Sequence, residues 1–286
     1  MPRSRPRDDE DSPKHDAFQP TVHTPRVQWD DDVVDPEQTS YTSADPGPSP
    51  VPDWVIVDDA ARQYERGVIK TGKEADVHLV ERVHGDRRNL LAAKRYRDLD
   101  ERAFRNDAKY RKRTGDRRVD LAMAQGTRAG MSFRAQLWLE TEFDSLSKLW
   151  SIGCAVPYPV QKLGVELMME YIGDEEEAAP RLINAVGGLD VDSRRDLFAQ
   201  LCDALRLMTS IGIVHGDLSP YNLLVWQERL YVIDMPQAVD PILQPEGLSL
   251  LERDVVNLCK WFSTKGVTTD AVALYRELLE QLRDGA

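Results

Sequence analysis

Three side chains between residues 217 and 234 have the types and the spacing that phosphoryl transfer requires. Asp217 is followed five residues later by Asn222, and Asp234 ends a second apolar stretch. One carboxylate can orient an attacking oxygen and accept its proton, while an amide oxygen and another carboxylate hold Mg²⁺ on the phosphates. The sequence therefore predicts a phosphoryl-transfer site in which one of the two carboxylates acts on the acceptor and the other binds the metal together with Asn222. The alternative is that Asp217 and Asn222 only cap a buried turn.

Short apolar runs predict the strands that position these groups. An apolar run leads into the segment at Val214, a strand is predicted at 223–225, and another spans 231–233. Gly216 loosens the backbone beside Asp217. We therefore expect the polar groups to stand at the ends of two neighbouring strands.

Lys94 is a further candidate, because it stands among apolar neighbours in a predicted strand at 90–96. A lone ammonium in a buried strand is costly unless it is paired, which favours a phosphate-binding role. The stretch 67–80 predicts two strands and a tight turn, where Gly72 exposes backbone N–H groups and Lys73 adds positive charge. The turn matches neither a Walker A nor a G-x-G-x-x-G loop, so a plain hairpin is the alternative.

An amphipathic helix is predicted over 133–152, where apolar residues recur near helical spacing. It carries Glu140 and Glu142, and we expect one of them to pair with Lys94, as a helix Glu does in protein kinases. Glu142 fits better, because Leu146 follows four residues later, but spacing does not exclude Glu140.

A hinge is predicted at 168–173, after two predicted strands. We expect its backbone, at Met169, Glu170 and Ile172, to hydrogen-bond a purine edge while the Met side chains line the pocket. Three further helices are predicted, at 192–210, 248–262 and 270–282, and a short one at 60–65.

We expect a soluble cytoplasmic protein with no membrane partner, since no apolar run approaches the ~20 residues that span a bilayer and residues 1–30 contain no apolar core typical of a signal peptide. Of the 286 residues, 41% are hydrophobic and 30% are charged. The three Cys residues are far apart and form no C-x-x-C pair, which is typical of buried thiols in a reducing compartment.

The net charge of −12 is unevenly distributed. Residues 1–59 carry five Lys/Arg against fourteen Asp/Glu, and residues 1–52 are rich in Pro, which together predict a disordered acidic tail. Residues 87–118 carry thirteen Lys/Arg against five Asp/Glu. The Arg-rich segment 98–128 is therefore interpreted either as a site for RNA or a ribosomal particle or as a solvated helix and loop.

Four matches in order resemble the RIO family of atypical serine/threonine protein kinases, over about residues 56–283. The family's nucleotide loop Ser-Thr-Gly-Lys-Glu-Ala, its catalytic His-Gly-Asp-Leu-Ser-x-Tyr-Asn and its metal loop Ile-Asp-x-x-Gln are matched at 71–75, 215–222 and 233–237. The segment 252–254 resembles the helix that follows the metal loop. Three positions depart from the family pattern: Lys70 replaces Ser, Asp76 replaces Asn and Pro220 replaces a common Glu.

The resemblance implies an α+β, two-lobed kinase fold of RIO type, with ATP and Mg²⁺ in the cleft. It implies a tail at 1–52, a small β-rich N-lobe at 53–173 with the Arg-rich insertion, and a short helical C-lobe at 174–286. It assigns Asp217, Lys94 and Asp234 to catalysis and Asn222 with Asp234 to the metal. The expected nucleotide-binding residues are Thr71, Gly72, Lys73, Glu74, Lys94, Glu142, Met169, Glu170 and Ile172.

The implied activity is transfer of the ATP γ-phosphate to a protein hydroxyl or to the kinase itself, with ATP hydrolysis as a possible companion. Two alternatives remain at this point. One is a small-molecule phosphotransferase of the aminoglycoside or choline kinase type, which also uses His-Gly-Asp-x4-Asn. That class usually has a larger helical C-lobe than the roughly fifty residues after Asp234 provide. The other is an ATPase switch in ribosome or RNA assembly.

Overall fold

The computed structural model describes residues 36–97, 128–175, 177–244 and 246–284, and the side chains of the first long helix from Phe133 onward. Almost all of the predicted Arg-rich segment 98–128 thus lies outside the described residues, as do residues 1–35 of the predicted tail. Within the described part, a β-sheet lobe is followed by a helical lobe. The predicted α+β, two-lobed architecture is confirmed.

Seven strands form the antiparallel sheet of the N-lobe, in the order β1-β3-β4-β5-β7-β6-β2. They are β1 (Glu37–Gln38), β2 (Asp45–Pro46), β3 (Arg62–Thr71), β4 (Ala75–His84), β5 (Arg87–Tyr96), β6 (Pro159–Leu163) and β7 (Glu166–Glu170). The strands β3 to β5 have ten residues each and carry both the predicted nucleotide loop and Lys94.

Alternate residues of these strands face two different apolar layers, as expected for a pleated strand. Leu79 and Ala92 belong to the core shared with helix α1 (Arg128–Ser151), whereas Val80 and Leu91 belong to a smaller cluster on the other face. Helix α1 confirms the amphipathic helix predicted from 133–152. The apolar residues it buries recur every three or four positions: Ala135, Leu139, Phe143, Leu146 and Leu149.

The predicted boundary of the tail at residue 52 is wrong, because residues 36–52 are part of the N-lobe. Strand β1 pairs with β3, and β2 pairs with β6. The segment covers the smaller cluster, against which Tyr41 and Val51 pack. A Pro-rich stretch is compatible with this position, since a Pro in an edge strand leaves no ladder hydrogen bond unmade.

A fully buried arginine links this segment to the sheet. Arg82 donates from Nη1 to the Ile56 carbonyl at 2.8 Å, and from Nη2 to the Oε1 atoms of Gln63 and Gln161, at 2.7 Å each. Its guanidinium also lies 5.8 Å from the centroid of the Tyr41 ring. Burial lowers the pKa of Arg82 to about 10, because Tyr41 and the charge of Glu166 offset only part of the effect of burial.

The short helix predicted at 60–65 is also wrong. The Asp58 carboxylate accepts from Ala60 N at 2.8 Å and its carbonyl accepts from Ala61 N at 3.0 Å, so Asp58 closes a turn. Asp favours such turns as readily as helix N-caps. Strand β3 begins directly afterwards, at Arg62.

The C-lobe consists of a hairpin and helices that support it. The hairpin strands are β8 (Leu223–Trp226) and β9 (Arg229–Val232). The helices are α2 (Leu182–Ala185), α3 (Val191–Ser210), α4 (Gly247–Ser263) and α5 (Ala271–Asp284). The three long ones begin and end within two residues of the predicted positions. Helix α5 packs against both α3 and α4.

Among the described helices, none combines the length and the apolar character that crossing a bilayer would need.

Candidate active site

Lys94 is buried between two carboxylates that come from different parts of the chain. Its Nζ lies 2.8 and 2.7 Å from the two carboxylate oxygens of Glu142 on α1, and 2.6 Å from Oδ1 of Asp234, which follows β9. Burial alone would lower the pKa of Lys94, but the charges of Asp234 and Glu142 outweigh burial and raise it. Lys94 is therefore a permanent cation at the junction of sheet, helix and metal loop.

The choice left open between two helix glutamates is decided by packing. Glu142 is buried and pairs with Lys94, whereas Glu140 forms an ion pair with Lys162 on β6. Two residues of an α-helix separate the side chains by about 200°, so only one of the pair can point into the cleft.

Two further groups hold the Glu142 carboxylate. The Tyr96 hydroxyl donates to Oε2, and Met235 N donates to Oε1 at 3.2 Å. Burial raises the pKa of Tyr96 well above its usual range, and the charge of Glu142 raises it further, so the phenol remains a donor. Glu142 thus connects the sheet, α1 and the metal loop.

Asp234 occupies an unusual backbone conformation at the start of the metal loop. Its φ is +69°, in the left-handed region that non-glycine residues seldom adopt. The Lys94 charge holds the pKa of the Asp234 carboxyl well below its usual range. The side chain is therefore an anion that faces the cleft, and backbone strain is concentrated at a candidate functional residue.

His215 connects the catalytic loop to the metal loop. Its Nε2 lies 3.0 Å from the Ile233 carbonyl, and Asp217 N donates to its Nδ1 at 3.3 Å. Because a carbonyl only accepts, the first contact places the ring proton on Nε2 and leaves Nδ1 as the acceptor. The buried imidazole thereby fixes the backbone on both sides of the site.

Helix α4 holds the backbone next to Asp217. The buried Asp254 carboxylate accepts from Gly216 N at 3.1 Å, and Arg253 donates to the Gly216 carbonyl. Gly216 has φ +80°, and a Cβ there would lie 2.7 Å from the Gln237 carbonyl oxygen. Only glycine fits both the conformation and the close approach.

Asn222 is buried next to Asp217 and caps the turn there. The sequence left this structural role as the alternative to metal binding. Asn222 Nδ2 donates to the Asp217 carbonyl at 2.9 Å, which closes the loop, while the Asp217 side chain is exposed. This contact uses the donor end of the amide, and the acceptor Oδ1 remains. Capping and metal binding are therefore compatible in the same residue.

The predicted nucleotide loop is a tight turn between β3 and β4. Gly72 N donates to the Ala75 carbonyl at 3.0 Å, and a Cβ on Gly72 would lie 2.9 Å from that oxygen. Glycine is thus required by a close approach, not by positive φ. Thr71 and Lys73 are exposed, and the Glu74 carbonyl accepts from Arg97 N at 2.9 Å.

The first half of the predicted hinge forms the end of β7, where Met169 is buried, and the second half follows the strand. Glu170 N donates to the Tyr158 carbonyl at 2.8 Å, and its carboxylate accepts from Tyr158 N at 3.0 Å. The Ile172 carbonyl accepts from Ala179 N at 2.9 Å. Within the described part of the chain, the Ile172 N–H has no such acceptor, which leaves it available to a ligand.

The protein-family model of the RIO domain matches residues 76–274 of this chain. This range includes Lys94, Glu142, Asp217, Asn222 and Asp234. The chain belongs to the RIO domain family. The predicted resemblance, over about 56–283, is thereby confirmed, and the family is that of the RIO-type serine/threonine protein kinases.

Curated relatives of this RIO chain carry the same family name. The RIO-type serine/threonine-protein kinase Rio1 of Haloferax volcanii is 33% identical over 222 residues, covering 78% of this chain and 71% of its own length. The Rio1 kinase of Thermoplasma acidophilum is 35% identical over 134 residues, covering 47% of this chain and 68% of its own length. The human serine/threonine-protein kinase RIO1 is 31% identical, but the match covers only 36% of its length.

Solved structures support the RIO fold. The Rio2 kinase of Chaetomium thermophilum superposes with a TM-score of 0.56 at 19% identity, covering 76% of this chain and 63% of the solved one. Its ADP/Mg²⁺-phosphoaspartate complex gives the same TM-score and identity, and covers 75% and 60%. The chain thus spans less than two thirds of either solved chain, and this likeness concerns the fold alone.

Sequence reasoning missed the residues of this RIO site that act through hydrogen bonds to the backbone or to other side chains. They are Tyr96, Asp254, the side chain of Arg253 and the ring of His215. The alternation of β5 offered one signal, since Tyr96 stands two residues after Lys94 on the same face. Asp254 and Arg253 contact Gly216 from 38 and 37 residues further along the chain, and no local sequence pattern predicts these contacts.

Proposed function

We propose that this chain is an ATP-dependent protein kinase that transfers the γ-phosphate of ATP to a serine or threonine hydroxyl, on another protein or on itself. The observation that carries the proposal is the ion-paired group of Lys94, Glu142 and Asp234. It lies beside a loop in which Asp217 is exposed and Asn222 is buried. One cation, one metal pair and one exposed carboxylate are the groups that a kinase reaction needs.

Each residue of the site then has a distinct role. Lys94 binds the α- and β-phosphates, and Asp217 orients the acceptor hydroxyl and accepts its proton. Asn222 Oδ1 and the Asp234 carboxylate are hard oxygen donors that fit Mg²⁺. A Mg²⁺ ion held by these two residues would offset the negative charge that develops on the phosphates during transfer. Asp234 contacts Lys94 at 2.6 Å, so these two residues bring the phosphate and metal positions together.

The remaining predicted contacts position the nucleotide. The turn formed by Thr71, Gly72, Lys73 and Glu74 covers the phosphates from above. At the hinge, Met169 lines the purine pocket, and the Ile172 N–H and the Glu170 carbonyl hydrogen-bond the purine edge. Glu142 does not contact ATP directly, because its oxygens are already held by Lys94, Tyr96 and Met235.

Slow ATP hydrolysis through an aspartyl phosphate is a second activity that we propose for the same site. The Rio2 kinase of Chaetomium thermophilum has been solved as an ADP/Mg²⁺-phosphoaspartate complex. In this chain the Asp234 carboxylate attacks the γ-phosphorus, ADP leaves, and water then releases inorganic phosphate from the acyl phosphate. An anionic side chain that faces the cleft suits this role.

We propose further that the protein works in the cytoplasm and that the Arg-rich segment 98–128 binds RNA or a ribosomal particle. The support is the charge of that segment alone, since residues 98–127 lie outside the described part. A small-molecule acceptor is less favoured, because the named relatives are protein kinases.

Labelled ATP with Mg²⁺ and a protein acceptor tests the main proposal. Asp217→Asn should lower phosphotransfer by at least about a hundredfold, the usual contribution of a positioned general base. Asp203→Asn is the matched control, since Asp203 is an exposed carboxylate on α3 that pairs with Arg206. Equal rates in the two variants, or rapid transfer to an aminoglycoside or choline, would show that the proposed function is wrong.

A further inference from the structure

Lys70 and Arg181 are cations near the cleft that have no ion-pair partner among the described residues. Neighbouring cations of the N-lobe are paired: Lys94 with Glu142 and Asp234, Arg95 with Glu65 and Glu166, and Arg97 with Asp76. In contrast, no carboxylate within the described ranges forms a salt bridge with Lys70 or with Arg181. These two residues differ from the pairs around them and need a separate explanation.

The sheet register places Lys70 on the same face as Lys94. Lys70 is opposite Val77 on β4, and Val77 is opposite Lys94 on β5. Directly opposed residues of antiparallel strands project to the same side, so Lys70, Val77 and Lys94 form one row. Two strand spacings separate Lys70 from Lys94, roughly 10 Å. Lys70 also precedes the nucleotide turn by two residues, at the exposed end of β3.

Arg181 comes from the opposite lobe, beside the catalytic loop. It forms an isolated bridge with Leu224, and it directly precedes α2. The first turn of α2 is attached to the catalytic loop, since Ile183 N donates to the Pro220 carbonyl at 3.2 Å. Arg181 is half-buried in this position. It therefore stands near the floor of the cleft, and Lys70 stands at its roof.

The electrostatics of Lys70 show that the two lobes approach each other here. Burial lowers the pKa of Lys70, the charge of Arg181 lowers it further, and Lys94 acts in the same direction. Asp234 and Glu74 oppose this shift but do not cancel it. Arg181 thus lies close enough to Lys70 for their like charges to repel each other, and an anion that enters between them relieves this repulsion.

We propose that Lys70 and Arg181 form an interlobe clamp for the γ-phosphate of ATP, which makes the cleft prefer ATP over ADP. The inference rests on the proposed function, because it concerns the nucleotide of the same site. Two carboxylates already form ion pairs with Lys94. The charges of Lys70 and Arg181 form no such pair among the described residues and can bind a phosphate. A terminal phosphate between them gains charge-assisted hydrogen bonds from both lobes, and its loss on transfer releases the clamp.

Calorimetric titration with MgADP and with a non-hydrolysable MgATP analogue tests the clamp without relying on turnover. Lys70→Ser and Arg181→Ala should each weaken binding of the analogue about tenfold or more, and change ADP binding less than about twofold. Lys70→Arg should retain most of the preference. The double variant should lose less than the sum of the single losses, because both cations hold one phosphate.

Arg62→Ala is the matched control, since Arg62 is an exposed cation at the other end of β3. Thermal unfolding of each variant confirms that the fold is kept. Equal losses for ADP and analogue, or none for either, would overturn the clamp while the proposed function stands. A rise only in the KM for the protein acceptor would also overturn it, because the cations would then hold the acceptor. If the unaltered protein binds neither nucleotide, the proposed function fails as well.

Discussion

At the scale of single residues, the site is organised around one carboxylate. Glu142 receives hydrogen bonds from the Lys94 ammonium, the Tyr96 hydroxyl and Met235 N. Its three donors come from β5 and from the metal loop, and Glu142 itself comes from α1. A buried carboxylate of this kind stabilises the protein only while its donors are present. The same contacts therefore serve both folding and the positioning of Lys94.

Glu142→Gln should reduce phosphotransfer by at least about tenfold, because the neutral amide no longer fixes the Lys94 ammonium. Glu140→Gln is the matched control on the same helix, since Glu140 pairs with Lys162 outside the cleft. Its activity should stay within about twofold of the unaltered protein, as expected for a surface pair. Rates of phosphotransfer from labelled ATP check both variants, and a larger loss for Glu140→Gln would contradict the assignment.

Asp234 should carry a labile phosphate after incubation with labelled ATP. An acyl phosphate is cleaved by hydroxylamine, whereas phosphoserine and phosphothreonine are stable to it. We expect hydroxylamine to release part of the label from the unaltered protein. The Asp234→Asn variant should carry no label that hydroxylamine releases. If all of the label withstands hydroxylamine and maps to Ser or Thr, the protein is a kinase that forms no aspartyl phosphate.

At the scale of elements, helix ends and edge strands stabilise the two lobes that carry the site. Helix α3 begins at an N-cap, where the Asp190 carboxylate accepts from Ser193 N at 2.7 Å. Strands β1 and β2 extend the sheet at its two edges. Both features lie far from the cleft, so changes in them should alter stability before they alter chemistry.

The N-cap of α3 should make a pH-dependent contribution to stability. Backbone hydrogen bonding to Ser193 lowers the pKa of Asp190. The pKa of Asp190 is therefore lower in the folded protein than in the unfolded chain, where it is about 3.9. The ionised cap stabilises the native state at pH values above about 3.9, and this contribution is lost as the pH falls below about 3.9. The stability lost in Asp190→Ala should therefore shrink between pH 6 and pH 3 in urea unfolding. Asp190→Asn should cap without this pH dependence, and a constant loss in Asp190→Ala would contradict the mechanism.

Removal of residues 1–35 should leave ATP turnover and the melting temperature unchanged. A chain that begins at Asp53 should instead melt at a lower temperature, because it lacks β1, β2 and the Tyr41 ring that packs near Arg82. Circular dichroism on heating, together with turnover at low temperature, separates these effects. Equal melting temperatures for the two shortened chains would show that residues 36–52 contribute little.

At the scale of the whole molecule, the formal charge of −12 conceals opposite local charges. The cleft holds Lys70 and Arg181, which have no salt-bridge partner among the described residues, and the segment 98–128 is rich in arginine. Long-range attraction of anionic partners depends on such local fields and not on the net charge.

Charge reversal at Arg111, Lys112 and Arg113 should weaken RNA binding and flatten its salt dependence. Each phosphate contact adds roughly 0.7 to 0.9 to the slope of log K against log salt. Filter binding or fluorescence anisotropy from low to physiological salt measures the slope. If the unaltered protein does not bind RNA at low salt, the alternative interpretation of this segment as a solvated helix and loop is favoured.

The sequence alone predicted the candidate groups of the cleft and determined their order along the chain. Asp217, Asn222 and Asp234 lie within 18 residues, and the apolar runs beside them are short-range patterns. The three long helices of the C-lobe were predicted to within two residues, because their apolar periodicity is a local property. Motif spacing therefore sufficed to identify the family and the two-lobed fold.

Only the tertiary structure decided which groups meet across long separations in the chain. Glu142 was chosen over Glu140 by the rotation of α1 against the sheet, and Lys94 reaches Asp234 across 140 residues. Residues 36–52 look like a tail in composition, but they pair with strands that arrive later in the chain. Each of these outcomes depends on burying apolar surface while most buried polar groups find partners, and that condition depends on the whole fold and not on any one segment.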